Sequence, residues 1–433
     1  MKSGTDISDR RKISPADRLV GVVELPADKS IAHRSALFAA IAEGDSHIVG
    51  FPDSADPRST LSCLRQLGVS MEETSDSLVI HGRGLDGLKQ SEGDIYCGNS
   101  GTTMRLLTGI LAGRSFDSTL TGDASLSKRP MGRIIDPLDQ MGVQIDSHEG
   151  RPPLTIRAAA SALKAITYEL PVASAQVKSC VLLAGLSADG PTTVIEPQST
   201  RDHTERMIGL AAMSMGSERH ISVEGGMTMK SRLWSIPADF SAAAFFLVAG
   251  SILPESLIGL PRVGLNPTRT GLLDVLRAMG ADITIDNERE IAGEPIGDLV
   301  VKHSPLTGVR IDGAIISNLI DEIPILCVAA LAAEGVTSIR DAGELRHKES
   351  DRIDAMVKGL RALGASVEEF DDGLEIEGGV QLRGATVSAF HDHRIAMSMA
   401  VAGLMGSEST TIEGASIADV SFPGFYSAID ALR

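Results

Sequence analysis

One pattern constrains this chain more than any other: it repeats a single helix–turn–strand phrase six times. The segments "SIAHRSALFAAIAEG", "SGTTMRLLTGILAG", "SAQVKSCVLLAGLSADG", "DFSAAAFFLVAG", "DEIPILCVAALAAEG" and "DHRIAMSMAVAGLMG" each pass from a polar start through small apolar residues to a glycine. Those glycines, Gly44, Gly113, Gly190, Gly250, Gly335 and Gly406, stand about 60 to 85 residues apart, the spacing of a supersecondary repeat. A glycine past the last apolar turn stops a helix. Strands such as "TTVIEP" and "VTSIRD" follow. Helices apolar nearly all round belong inside a domain. A second helix closes most repeats on "LRQLGV", "LDQMGV", "LRAMGA" or "LRALGA", at Gly68, Gly142, Gly280 and Gly364. The third copy, "LAAMSMG", is irregular, and the sixth stops at Leu432. Six α/β repeats is the expected architecture.

A second echo divides the chain. "LPADKS" at 25–30 and "IPADFS" at 236–241 each join a strand-like stretch to a first helix. Three repeats lie between them and three outside. The expected domains are therefore 1–27 with 237–433, discontinuous, and 28–236, inserted, each of an ordinary domain size. Two crossings at these points make a hinge, with a cleft between similar halves as the expected active site.

The formal charge of −17 on 433 residues disfavours nonspecific attraction to nucleic acid or anionic lipid. An anion site must be built locally. The longest nearly unbroken apolar run, Ala242 to Leu253, is too short to span a bilayer. The opening "MKSGTDISDRRKIS" has no apolar core and does not read as a secretory signal. Cys63, Cys97, Cys180 and Cys327 have no metal-type spacing, so reduced, mostly buried thiols in a cytoplasmic protein are expected.

The helix starts carry the chemistry. Ser, Asn and Asp there are ordinary caps, and capping alone accounts for Asp239 and Ser241. Cations are harder to dismiss, because a helix N-terminus disfavours them. Lys29, Arg34, Arg105, Lys178 and Arg394 lie in early turns of apolar helices. Arg129, Arg201 and Arg352 stand near the starts of second helices. Eight at equivalent places suggest one convergent basic cavity for a ligand set with several negative charges. Guanidinium forks bind phosphate and carboxylate bidentately. One cation–anion contact at about 4 Å gives roughly 4 kcal/mol before desolvation at an effective dielectric near 20. Two acids enter this setting: Asp321 at the start of the fifth first helix, and Glu349 between Lys348 and Arg352. Either could be a salt-bridge partner only; together they offer a general base and a general acid.

Other signals fall away. "GRGLDG" matches a dinucleotide-loop pattern, but the following "LKQSEGD" is polar, short and broken by Gly93. It reads as a repeat turn. "HDH" places His391 and His393 two apart without a further ligand pattern, so no metal is expected.

Seven motifs, "LPADKSIAHR", "GNSGTTMR", "SKRPMG", "ASAQVKS", "LIDEIPI", "LRHKESDR" and "DHRIAM", resemble the 5-enolpyruvylshikimate-3-phosphate synthases in order and over essentially the whole chain. The resemblance implies two inside-out α/β domains, each of three βαβαββ units. It implies transfer of the carboxyvinyl group of phosphoenolpyruvate to the 5-hydroxyl of shikimate 3-phosphate, with release of phosphate and no cofactor. Shikimate 3-phosphate would be held by Lys29, Ser30, Arg34, Ser174, Ala175, Gln176, Arg201, Asp321 and Lys348. Phosphoenolpyruvate would be held by Lys29, Gly101, Arg129, Gln176, Arg352 and Arg394. Glu349 would protonate the methylene, Asp321 would accept the hydroxyl proton, and Lys29 would assist departure of phosphate.

There are departures. Ala27 stands where the family usually has Gly, and Val420 where many members have Lys, removing one cation from the phosphate end of the phosphoenolpyruvate site. Gly101 leaves room for glyphosate, whereas "ASAQVKS" resembles a branch containing tolerant enzymes; both readings stay open. The sister transferase acting on UDP-N-acetylglucosamine carries a reactive Cys where this chain has Ala124. A noncatalytic anion-binding or RNA-end-processing protein is the rival of another class; the net charge and sparse aromatics disfavour it. A monomer is expected.

Overall fold

The structure is a computed structural model that describes residues 9–74, 77–216 and 218–433. The first eight residues of the stretch read above for a secretory signal lie outside the described residues. Six sheets form among the described residues, three in each of two compact units. The first unit gathers the described residues up to Pro26, Ala238–Arg289 and Pro295–Arg433; the second gathers Ala27–Pro237 and Glu290–Glu294.

One repeat shows the plan. Strands Ile95–Tyr96 and Ser118–Thr121 run parallel, with helix Gly101–Leu111 between them in sequence. Helix Gly132–Gln140 leads on to Ile145–His148 and Arg151–Ile156, and the last strand inserts antiparallel between its neighbours. This is a βαβαββ unit. The same strand order recurs in the sheets that end at Val223 and Glu377.

At the two "PAD" echoes the opening strands are exchanged. Val20–Val22 pairs with Leu257–Gly264 in the first unit, although the next helix, Lys29–Ala40, belongs to the second. Conversely, Leu233–Ser235 pairs with Ala42–Val49 in the second unit, and the chain then enters helix Phe240–Ile252 of the first. The sixth sheet is completed from the other end of the chain, where Arg10–Ile13 pairs antiparallel with Thr410–Glu413.

The apolar first helices form the cores. Every residue of Phe240–Ile252 is buried, and it packs on Ile323–Ala332 and His393–Leu404. Each fully buried Leu, Val or Phe there stabilises the fold by roughly 1.5–3 kcal/mol. In the second unit, helices Gly101–Leu111 and Ala175–Gly185 cross so closely that a Cβ on Gly109 would stand 2.3 Å from the Cys180 carbonyl oxygen. Only glycine fits. The run Ile315–Ala332 is long and apolar enough to cross a membrane, yet 72% of it is buried in the protein, as a core helix is.

The second helices end as expected, on left-handed Gly68, Gly142, Gly280 and Gly364 (φ +81°, +88°, +102° and +95°). The third copy differs. Helix His203–Ile208 closes earlier, on Gly209 at φ +76°, and "LAAMSMG" leads into strand Ala212–Met215. Two first-helix glycines are not stops either. Gly44 lies in strand Ala42–Val49. Gly250 lies inside helix Phe240–Ile252, where a Cβ would meet Val301 at 2.6 Å.

A feature without sequence signal is the turn Glu290–Glu294. It joins strands Asp282–Ile291 and Glu294–Lys302, yet groups with the second unit. There His203 Nδ1 stands 2.8 Å from Glu294 Oε1, both side chains buried.

Candidate functional site

The second unit brings most of the predicted shikimate 3-phosphate residues to its helix starts. Asp28 caps Lys29–Ala40 by accepting the Ile31 N–H at 2.9 Å, so Lys29 and Ser30 open the helix half-buried. Lys29 Nζ stands 3.8 Å from Asp56. Arg34 is almost fully buried: Nε donates to Thr204 Oγ1 at 2.8 Å, Nη2 to Ser179 Oγ at 3.1 Å and Nη1 to the Ser30 carbonyl at 3.1 Å. Ser174 caps Ala175–Gly185 through the Val177 N–H at 3.4 Å. Gln176 receives a hydrogen bond from Arg105 and donates to Thr102 Oγ1 at 3.0 Å. Arg201 is half-buried in the loop before helix His203–Ile208.

Beside them lies the predicted phosphoenolpyruvate loop of this unit. Ser100 caps Gly101–Leu111. Arg129 donates to Asn99 Oδ1 at 2.6 Å, and Asn99 in turn donates to Asp123 at 2.8 Å. A Cβ on Gly101 would meet Arg105 Nη1 at 3.0 Å and Arg129 Nη1 at 3.3 Å. A side chain at residue 101 would push these two guanidinium groups aside by a few tenths of an ångström, so glycine lets them lie closest to the backbone. Asn99 and Asp123 were missed as holders of Arg129; "GNSG" and "GDAS" offer only ordinary turn chemistry.

Two expectations are corrected. Lys178 does not line a cavity. Its ammonium is fully buried, 2.9 Å from Glu196 and 2.7 Å from Glu205, because the helix turns it into the unit rather than toward the helix start. Asp321 does not open a helix. It sits in the tight turn Ile320–Glu322, with helix Ile315–Leu319 before it and Ile323–Ala332 after it.

The first unit gathers the remaining residues around Arg352, whose side chain is 1% exposed. Its Nη1 is 3.2 Å from Asp321, its Nη2 2.6 Å from Glu349 and its Nε 2.8 Å from Asp392. Lys348 Nζ stands 3.9 Å from Asp321. Arg394 Nη1 donates to the Asp321 carbonyl at 2.9 Å, and its Nη2 to Ser241 Oγ at 3.2 Å. Ser241 also receives Arg269 Nη2 at 2.7 Å and donates to Glu322. So Asp239 caps its helix as expected, whereas Ser241 instead binds two arginines and an acid. Asp392 reads from the sequence as an ordinary helix cap, and it is one; its bond to Arg352 and the roles of Glu322 and Arg269 were not anticipated. The aspartate of "DHR" was the available signal.

The charges are tuned by their surroundings. Burial pulls Arg352 down, but Asp392, Glu349 and Asp321 outweigh it, and its pKa rises above the ordinary value. Burial brings Arg34 down to about 10. Arg105 is also lowered to about 10, by burial and then by Arg129 and Arg133. Burial, with Arg34 and Lys29, lowers His33 to about 3. Burial, with Arg394, lowers His393 to about 4. Both imidazoles are neutral at pH 7, and the permanent cations carry the positive field.

A six-repeat α/β fold whose helix starts bear such cations and paired acids defines a protein of the enolpyruvyl transferase class. The sequence profile of the EPSP synthase (3-phosphoshikimate 1-carboxyvinyltransferase) family matches residues 13–429. Among similar curated proteins, the 3-phosphoshikimate 1-carboxyvinyltransferase of Salinibacter ruber is 57% identical over 96% of this chain and 97% of its own. That of Bacillus pumilus is 49% identical over 95% and 97%. A solved EPSP synthase from Acinetobacter baumannii superposes with a TM-score of 0.91 at 45% identity, covering 98% of each chain. The chain belongs to the EPSP synthase family, transferases of the shikimate pathway.

Proposed function

We propose that the side chains gathered at the helix starts hold shikimate 3-phosphate and phosphoenolpyruvate together while this transferase moves the carboxyvinyl group to the 5-hydroxyl. Lys29, Ser30, Arg34, Ser174, Ala175, Gln176, Arg201, Asp321 and Lys348 bind shikimate 3-phosphate. Lys29, Gly101, Arg129, Gln176, Arg352 and Arg394 bind phosphoenolpyruvate. The observation that carries this reading is Arg352, whose one guanidinium contacts both Asp321 and Glu349. An anion-binding cation and two acid–base groups then act on one reacting centre.

In the first step Glu349 delivers a proton to the phosphoenolpyruvate methylene. The 5-hydroxyl oxygen bonds to the adjacent carbon and its proton passes to Asp321. In the second step the new methyl group returns a proton to the Glu349 carboxylate, the double bond re-forms and phosphate leaves with the C–O bond electrons. Lys29 and the arginines stabilise its charge. The enzyme is proposed to act as a cytoplasmic monomer; four buried thiols fit a reducing compartment.

The test is phosphate release from phosphoenolpyruvate with shikimate 3-phosphate in one reaction and UDP-N-acetylglucosamine in another. Release only with the first is expected. Release only with the second would keep the transferase class and replace the acceptor.

A further inference from the structure

We propose that Lys178 is a positioning residue for Arg201: it fastens both ends of the loop that carries Arg201 and so sets where that guanidinium meets shikimate 3-phosphate. This rests on Arg201 being a ligand of shikimate 3-phosphate, as proposed above.

Strand Thr192–Glu196 ends where the loop begins, and helix His203–Ile208 starts where it finishes. The intervening residues, 197–202, include Arg201. Lys178 Nζ bonds Glu196 Oε1 at 2.9 Å on one side and Glu205 Oε1 at 2.7 Å on the other. The three side chains are 0%, 0% and 3% exposed. Thr200, inside the loop, donates to the same Glu196 oxygen. Asp202, at its end, accepts Arg206 Nε at 2.8 Å. A single ammonium therefore closes the base of the loop, and two further bonds tie its interior and its end.

Lys178 also links this loop to the rest of the anion site. Its helix, Ala175–Gly185, begins with Ala175 and Gln176 and is capped by Ser174. The neighbouring Ser179 bonds Thr204 at 2.7 Å, and Thr204 accepts Arg34 Nε at 2.8 Å. These bonds, which do not involve Lys178, hold the helix start and Arg34 in place when the Lys178 cluster is removed.

Such a cluster is an expensive way to fill space. Burying an ammonium against two carboxylates costs desolvation that apolar residues of the same volume avoid. Among the described residues Glu196 Oε2 and Glu205 Oε2 have no hydrogen-bond partner, and the Arg219 guanidinium stands 3.6 Å from the former. What the charges add is direction, because charge-assisted bonds fix both loop ends to hydrogen-bond geometry. A bidentate arginine contact to phosphate or carboxylate depends on such geometry.

The experiment measures shikimate 3-phosphate affinity by calorimetry on the full chain. Lys178→Met alone strands two buried carboxylates and is expected to melt early. The informative variant is K178M/E196Q/E205Q, which removes all three charges, with Glu196→Gln as a milder arm that loosens one end and decides if the triple variant does not fold. The triple variant is expected to bind about tenfold more weakly, and Glu196→Gln about threefold. Neither should weaken a protein that already carries Arg201→Ala. Wild-type affinity in both variants, with Arg201→Ala weak, overturns the clamp and leaves Arg201 as a ligand. Wild-type affinity in Arg201→Ala overturns both. Further loss when the triple variant is added to Arg201→Ala means Lys178 acts elsewhere and also overturns the proposal.

Discussion

Arg352 donates its Nε–H to Asp392 at 2.8 Å with both side chains out of water, and Asp392 uses its other oxygen to accept the Arg394 N–H at 2.9 Å. One carboxylate thus aims a guanidinium and caps the helix that carries a second one. The cost of burying Arg352 is met by three acids, of which Asp392 is the only one fully inside.

Asp392→Ala is expected to destabilise the protein by about 3–5 kcal/mol, the cost of breaking a buried ion pair. Asp392→Asn keeps an oxygen for the helix cap and is expected to cost less, by about the 1 kcal/mol of a cap. Urea unfolding of the two variants checks the order. Equal losses would mean that the cap contributes nothing.

Glu349→Gln and Asp321→Asn each remove one proton-transfer group while preserving size. Turnover is expected to fall by about 10²–10⁴, the range for general acid–base catalysis. Near-normal turnover in either variant would remove that acid from the chemistry.

Gly101→Ala places a methyl 3.0 Å from Arg105 Nη1 and 3.3 Å from Arg129 Nη1. Both contacts are the far ends of flexible side chains, so the fold should hold, with a melting temperature close to wild type. The guanidinium groups must shift, and phosphoenolpyruvate KM is expected to rise about tenfold, a loss of about 1.4 kcal/mol. Steady-state kinetics at saturating shikimate 3-phosphate measure it. An unchanged KM would mean Arg129 does not contact this substrate.

The repeats were legible because their signal is local: apolar helices and left-handed glycines are written in consecutive residues. The cations at the helix starts were legible for the same reason. The sequence did not show which cation faces a ligand and which is neutralised inside. Lys178 and Arg34 occupy similar early-turn positions, yet only Lys178 meets two buried glutamates, and those lie 18 and 27 residues further along. Nor could local pattern reveal that Glu294, 91 residues further along, meets the buried His203. Third-copy irregularity was visible as a broken pattern, but its cause, an earlier glycine at 209, needed the backbone.

His33 makes acid lability a test of the anion site's architecture. The imidazole is buried between helices, with Nδ1 2.7 Å from Thr60 Oγ1. Burial, then Arg34 and Lys29, bring its pKa from 6.5 to about 3. Between those values the unfolded chain binds a proton that the native protein refuses, so stability falls as pH drops from about 6.5 toward 3. The slope from one such group is about 1.4 kcal/mol per pH unit. His33→Gln can keep a hydrogen bond to Thr60 but cannot titrate. Its unfolding free energy, measured between pH 6 and 4 by urea titration, is expected to slope less steeply than wild type by about that amount. Parallel slopes would show that His33 takes up a proton in the native state, and with it a third positive charge beside Lys29 and Arg34.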